Sequence, residues 1–457
     1  MNDDVITKRA ALLIATLSAF LTPFMASSLN IALPAIGKEF QMSAVLMSWV
    51  PTSFILSAAM FLVPFGRVAD IHGRKRIFSY GMWIFTLSTL CIAFSPSSAA
   101  LIMFRTIQGF GSAMIFGTGM AILTSVYPIQ ERGRVLGINV AAVYLGLSLG
   151  PVFGGFLTHQ FGWRSIFLVN VPIGLLAIYF ASTKLKREWA EARGERFDVT
   201  GSGIYALTLL LLMYGLSLLP AMAGLWFILA GIIGGALFAV WDRKAPSPLL
   251  NTELFLHNMT FAFSNVAALI NYSATFAVTF LMSLYLQYIK GFTPQHAGMV
   301  MIAQPVVMAV FSPFAGKLSD KIEPRVVASI GMAFTSAGLA LFMFVDRETH
   351  LGFIVMGLVL LGFGFALFSS PNTNAVMSSV EKRFYSVASA TLGTMRLIGQ
   401  MLSMGIAMVI FSLHIGSGRF TPEYYPLFLT SMKTAFSIFA ALCFGGIFAS
   451  LARGKVR

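Results

Sequence analysis

The sequence predicts an all-α integral membrane protein of about fourteen spanning helices, and three observations predict it. Hydrophobic residues make up 57% of the chain and charged ones only 11%, against roughly 25% charged in an average soluble domain, so water is not the solvent for most of its surface. Apolar runs of about 20 residues, the length that crosses a bilayer, recur along the whole chain. Lysine and arginine collect in alternate connections between those runs.

In order, the runs centre near Leu21, Leu56, Thr86, Ile115, Leu147, Pro172, Leu209, Ile232, Ala277, Val307, Ser336, Gly362, Leu402 and Ala440. The first follows Lys8 and Arg9 as a secretory signal would, but it continues to Pro34 without a small-residue cleavage pattern and reads as a retained helix. The connections average roughly a dozen residues, too few for a soluble domain. Cys91 and Cys443 both fall inside apolar runs, which leaves no basis for a disulfide framework or a thiolate metal site.

With the amino terminus in the cytoplasm, the inside connections and tails hold Lys8, Arg9, Arg67, Arg74, Lys75, Arg76, Arg132, Arg134, Lys184, Lys186, Arg187, Arg193, Arg196, Arg243, Lys244, Lys317, Lys321, Arg325, Lys382, Arg383, Arg453, Lys455 and Arg457. The outside holds only Lys38, Arg164, Lys290, Arg347, Arg419 and Lys433. This segregation places both termini in the cytoplasm of a multi-pass protein of the plasma membrane. The formal charge of +14 is scattered between apolar runs instead of gathered on one solvated face, which excludes nucleic acid as a partner.

The stretch from Gly66, GRVADIHGRKRIFSYGM, aligns without gaps to the stretch from Gly316, GKLSDKIEPRVVASIGM. Gly66 meets Gly316, Arg67 Lys317, Asp70 Asp320, Gly81 Gly331 and Met82 Met332, which is the signature of an internal repeat. If each repeat holds six helices, two more lie between them. The chain then divides into an N-terminal six-helix bundle (1–183), two inserted helices with flanking cytoplasmic loops (184–257) and a C-terminal six-helix bundle (258–457).

Glycines flanking Asp70 permit a tight turn between helices, and Asp70 can cap the next helix or pair with a nearby cation. Gly66, Asp70, Gly73, Arg74 and Asp320 are therefore candidates for a latch on the cytoplasmic side. Arg74, Lys75 and Arg76 can alternatively hold topology against anionic lipid, a role that suits Lys75 and Arg76 equally well. Gly146, Gly150 and Gly154 share a helix face and allow close approach of a neighbour, while Pro151 removes a backbone donor where the helix can bend. Plain packing and a hinge or seal both fit that pattern.

Only Arg105 and Arg396 fall within spans, at a cost of roughly 2.5 to 3.5 kcal/mol each unless they face a wet cavity or a partner. Each is either a functional cation or a structural one bonded to helix carbonyls. Ser27, Ser28, Asn30, Gln108, Asn271, Tyr272, Gln304, Asn372 and Asn374 are the polar groups that can orient a ligand between apolar walls, or bond helix to helix.

These motifs resemble the major facilitator superfamily over nearly the whole chain. Gly66, Asp70, Gly73, Arg74 and Lys75 resemble its loop between helices two and three, Arg105, Gln108, Gly109 and Gly111 its fourth-helix arginine motif, and Gly146, Gly150, Pro151, Gly154 and Gly155 its antiporter pattern in helix five. Trp163, Arg164, Phe167, Asn170, Val171 and Pro172, with Asn30, Ala32, Leu33 and Pro34, resemble the fourteen-helix drug:proton antiporter branch. The resemblance implies a major facilitator fold and export of small hydrophobic, drug-like compounds by alternating access, with protons as the exchanged ion. That branch carries a first-helix aspartate where this chain has Met25, so a coupling group is to be sought at Asp70, Asp320 or an interfacial histidine.

An interior with two cations and no anion favours uncharged or acidic solutes over quaternary ammonium compounds. It also fits a second reading, an organic-anion or lipid-like carrier running without protons, and a third, a sensor that no longer transports. An enzyme would need a His, Cys or carboxylate constellation at membrane depth, and the sequence offers none. No cofactor, metal or obligate protein partner is expected; the partners are the bilayer, the solute and the implied proton.

Overall fold

The fold follows from how the apolar runs end. In the computed structural model, residues 3–185, 187–245, 248–250, 252–381, 385–416 and 421–454 are described. Lys186, Lys382, Arg383, Arg419, Lys455 and Arg457, assigned above to loops and tails, lie outside them. The N-terminal part forms α1 (Asp3–Glu39), α2 (Ala44–His72), α3 (Arg74–Ala93), α4 (Ser98–Val126), α5 (Ile129–Phe161) and α6 (Arg164–Lys184). Next come α7 (Val199–Leu218), α8 (Met222–Lys244) and the short α9 (Thr252–His257). The C-terminal part forms α10 (Met259–Leu284), α11 (Pro294–Met301), α12 (Ala303–Ser319), α13 (Pro324–Phe342), α14 (Leu351–Ser378), α15 (Tyr385–His414) and α16 (Tyr425–Ala452). α11 and α12 make one crossing between them, so 14 helical segments of the described residues are long and apolar enough to span a membrane.

Local chemistry sets the starts. Ser43, Ser97, Asp198, Asn258 and Thr293 each accept a backbone N–H from the first turn they precede, satisfying donors that the helix itself leaves unpaired. Gly73, at φ +117°, breaks α2 from α3 in a conformation closed to most side chains.

The packing repeats. α2 and α3 lie on α4, and α3 on α6; in the same way α12 and α13 lie on α14, and α13 on α16. α1 packs on α5 and α6 as α10 packs on α15 and α16. Detail repeats too: a Cβ on Gly81 would come within 2.9 Å of the Gly111 carbonyl, and one on Gly331 within 2.7 Å of the Gly364 carbonyl. Gly109 likewise rests on the Phe54 carbonyl and Gly362 on that of Gln304. Without a hydrophobic force between helices in lipid, such close backbone crossings supply much of the attraction.

α7 packs against both α2 and α15, covering the seam where the two parts meet. Its Tyr205 hydroxyl donates to the Ala59 carbonyl at 3.1 Å. α8 leans mainly on α7, through Gly224 against Gly215 and Gly231 against Leu212. The start of α1 and the residue after α16 share one end of the bundle, where the Lys8 carbonyl accepts from Tyr127 and the Arg453 carbonyl from Thr260. That end is called the terminal face below, and the other the distal face.

Candidate functional site

On the terminal face the α2–α3 turn is gripped by the segment that follows α6. Arg74 donates to Asp70 at 2.8 Å, to both oxygens of Glu191 at 2.8 and 3.0 Å, and to Ser125 at 2.7 Å. The fork geometry of the guanidinium suits that two-point contact, which a lysine would not reproduce. Glu188 accepts the N–H groups of Lys75 and Arg76 and so caps α3, a favourable place for a carboxylate at a helix start. Backbone bonds from Arg74 to Trp189 and from Ala192 to Asp70 stitch the two segments together, and Arg67 pairs with Glu195. Gly66 has open space at its missing side chain. In the other half, Asp320 lies against Asn374 at 3.5 Å.

α5 presents two faces. Gly146, Gly150 and Gly154 lie against α1 at Phe20, Ser27 and Ser28, leaving no room for a side chain. Ser27 donates to the Pro23 carbonyl and Ser28 to that of Gly150, so both serines bond helix to backbone inside the N-terminal half. The other face touches the C-terminal half: Gly298 sits on the Pro151 carbonyl and Gly155 on the Pro294 carbonyl. Near the distal face Ser283 donates to the Asn30 carbonyl at 2.5 Å, Gln287 to that of Ile31 at 2.9 Å and Tyr288 to that of Pro34 at 3.2 Å. Tyr144 of α5 joins the halves as well: it accepts from Ser312 of α12 at 3.0 Å and bonds Ser369 of α14. The halves are thus bonded together distally and through Tyr144.

The predicted polar groups separate into two sets. Arg105 is 1% exposed; its Nε donates to the Val50 carbonyl, it bonds Gln108, and it lies 4.4 Å from the centre of the Phe54 ring. Gln108 in turn donates to Thr89 at 2.6 Å. Of the two intramembrane cations, Arg105 makes these bonds within its own half. Asn372 donates to the Ser264 carbonyl and accepts from Arg453, and Asn374 bonds Ser319, which ties both into the C-terminal half near the terminal face. Met25 is packed in the apolar core.

Arg396 behaves differently. It is half-buried, donates to Thr373 at 3.0 Å and lies 5.6 Å from the centre of the Tyr272 ring, and its Nε has no partner. Tyr272 meets Phe365 edge to face, and Tyr144 from the opposite half is near enough to feel both Tyr272 and the Arg396 charge. Asn271, fully buried one residue before Tyr272, has neither polar atom bonded, and the Asn30 side-chain oxygen is also unbonded. Gln304 is half-buried at the start of α12. A cation, two phenols and a hydroxyl between apolar walls can hold a polar, flat solute. No carboxylate of the described residues forms an ion pair with Arg396.

Sequence reasoning missed Tyr144, Thr373 and Arg453. Tyr144 stands out in retrospect as a lone phenol beside the glycines of α5. Arg453 reads as a tail residue but is 0% exposed, bonding the Ser450 carbonyl and hydroxyl, Ser264 and Asn372. Burial, with Arg325 nearby, pushes its pKa down to about 10.

Comparison with known proteins bears on this arrangement. The chain matches the family model of the Major Facilitator Superfamily over residues 15–240 and 264–455. It is 27% identical to the riboflavin transporter RibZ of Clostridioides difficile, across 96% of both chains. It is 30% identical to the multidrug resistance protein Stp of Mycobacterium tuberculosis, across 86% of this chain and 74% of that one. Among solved structures, a bacterial homologue of the human lysosomal transporter Spinster, in an inward-facing and unoccupied conformation, matches 98% of the chain at a TM-score of 0.72 and 16% identity, with 97% of that structure covered. The doubled helical packing and the family match along nearly its full length agree: this chain belongs to the major facilitator superfamily and is a membrane-embedded secondary transporter.

Proposed function

We propose that the protein exports small hydrophobic or drug-like compounds, uncharged or acidic in preference to cationic, by rocking its two halves about the Arg396 cluster. The observation that carries this reading is Arg396 itself, a cation with a free Nε, flanked by Tyr272 and unpaired by any described carboxylate. An uncompensated positive charge raises the local concentration of anions and repels lipophilic cations. With the terminal face taken as cytoplasmic, the distal bonds between halves fit a carrier closed on the outside, as an exporter is when it loads. Relatives named for multidrug resistance support the direction.

Transport in inverted vesicles tests this. Uptake of an acidic fluorophore should fall at least about tenfold in Arg396→Ala, a loss of one charged hydrogen-bonding contact, while Arg105→Lys should reduce folded protein more than specificity. Strong ethidium uptake that survives Arg396→Ala would overturn the preference for uncharged and acidic solutes.

Proton antiport, implied by the family branch, is proposed to draw on Asp70, whose partner Arg74 would be free to let go in the opposite state. The absence of a carboxylate beside Arg396 favours a second reading, exchange of organic anions without protons. An imposed pH step across proteoliposomes separates the two, because only the antiporter moves solute in response.

A further inference from the structure

The repeat that builds both halves also builds two matching corners, and only one of them is left with free charge. In the N-terminal half Phe61 and Phe65 of α2 meet Phe110 of α4 edge to face at 4.8 Å. In the C-terminal half Phe311 of α12 meets Phe363 of α14 at 5.0 Å in the same manner. The residues one turn further on differ. Arg67 is paired with Glu195, and Ile71 is apolar and buried. Their counterparts Lys317 and Lys321 are both exposed, and their side chains form no hydrogen bond or ion pair among the described residues.

The corner of α12 and α14 opens as a groove of about 520 Å³, walled by Phe311, Phe314, Leu318, Phe363 and Leu367, with Lys317 and Lys321 at its rim. It points away from the path between the halves. Ser312 and Ser319 turn toward Tyr144 and Asn374, and at 100° per residue Phe314 and Lys317 lie on the far side of the helix from Ser312. Phe314 is 64% exposed there. Lys317 falls in the last turn of the span Pro294–Ser319, the depth at which apolar chain gives way to headgroup.

We propose that this groove binds an anionic phospholipid, with an acyl chain along Phe311, Phe314 and Phe363 and the phosphate between Lys317 and Lys321. The apolar wall alone would take any lipid; the paired, unneutralised lysines select the negative headgroup. The N-terminal corner lacks that selectivity because its one cation is already spent on Glu195. This inference does not depend on what the Arg396 cluster carries.

Native mass spectrometry of the purified full chain, titrated with phosphatidylglycerol, phosphatidylcholine or inorganic phosphate, tests it. The wild type should retain phosphatidylglycerol well above phosphatidylcholine. The double variant Lys317→Gln/Lys321→Gln should bind phosphatidylglycerol about 30-fold more weakly, as expected for two surface lysines, and Arg76→Gln, exposed on the same face outside the groove, should bind as the wild type does. Equal retention of the two lipids, or undiminished phosphatidylglycerol binding by the double variant, would overturn the site. Displacement of phosphatidylglycerol by inorganic phosphate at matching concentration would show that the lysines hold a phosphate and not a lipid, and would also overturn it.

Discussion

The turn after α2 and the turn after α12 descend from one pattern and are held by different chemistry. At the first, Arg74 is anchored by Asp70 and Glu191, and the segment after α6 lies across the turn as a strap. At the second, Pro324 stands where the repeat would put that arginine, and its terminal face is drawn together from below by Arg453, which reaches Ser264 of α10, Asn372 of α14 and Ser450 of α16. The aligned glycines and aspartates preserve what the backbone needs in both halves. The charges are free to diverge, because each half has only to neutralise its own helix ends.

Four sets of variants break or sharpen that comparison. Gly81→Val and Gly331→Val should be equally damaging, each costing more than about 3 kcal/mol, since a side chain at either crossing meets backbone that cannot retreat; yields of folded protein by size-exclusion fluorescence should drop together, and a large difference would break the equivalence of the halves. Arg453→Ala should cost about 3 kcal/mol, leaving Ser264 and Asn372 with lost partners in a closed interior, and limited proteolysis should show the C-terminal half opening first. Arg74→Ala should cost about 2 kcal/mol, less than a wholly buried pair because Glu191 is largely exposed, with cleavage now appearing between α6 and α7. Glu191→Gln, which keeps the shape and removes the charge, should shift thermal stability by no more than about 1 kcal/mol, and Lys317→Gln by less than about 0.5 kcal/mol; a larger change at Lys317 would mean that the C-terminal turn has a protein partner after all.

The helices and the doubled turn were legible because they depend on short-range rules: run length, caps and glycines at fixed spacing. Arg105 was harder to read. Its cost in an apolar run is plain from sequence, but whether it meets a carbonyl of α2 or a wet cleft depends on how α2 lies on α4. Asn372 and Asn374 look like pore-lining amides by depth, yet the rotation of α14 directs them to Arg453 and Ser319. Glu188, Glu191 and Glu195 appear along the chain only as part of a charged connection. Their roles emerge when that connection folds under α2 and α3.

By itself the sequence determined that this chain crosses a membrane about fourteen times and that its two halves share a plan, because burial of apolar surface and backbone hydrogen bonding leave few alternatives in lipid. Only the tertiary structure decided which intramembrane cation is bonded to its own half's backbone and which keeps an unbonded Nε. Arg105 and Arg396 cost the same to insert, and the difference between them lies in which neighbouring helix brings acceptors within reach.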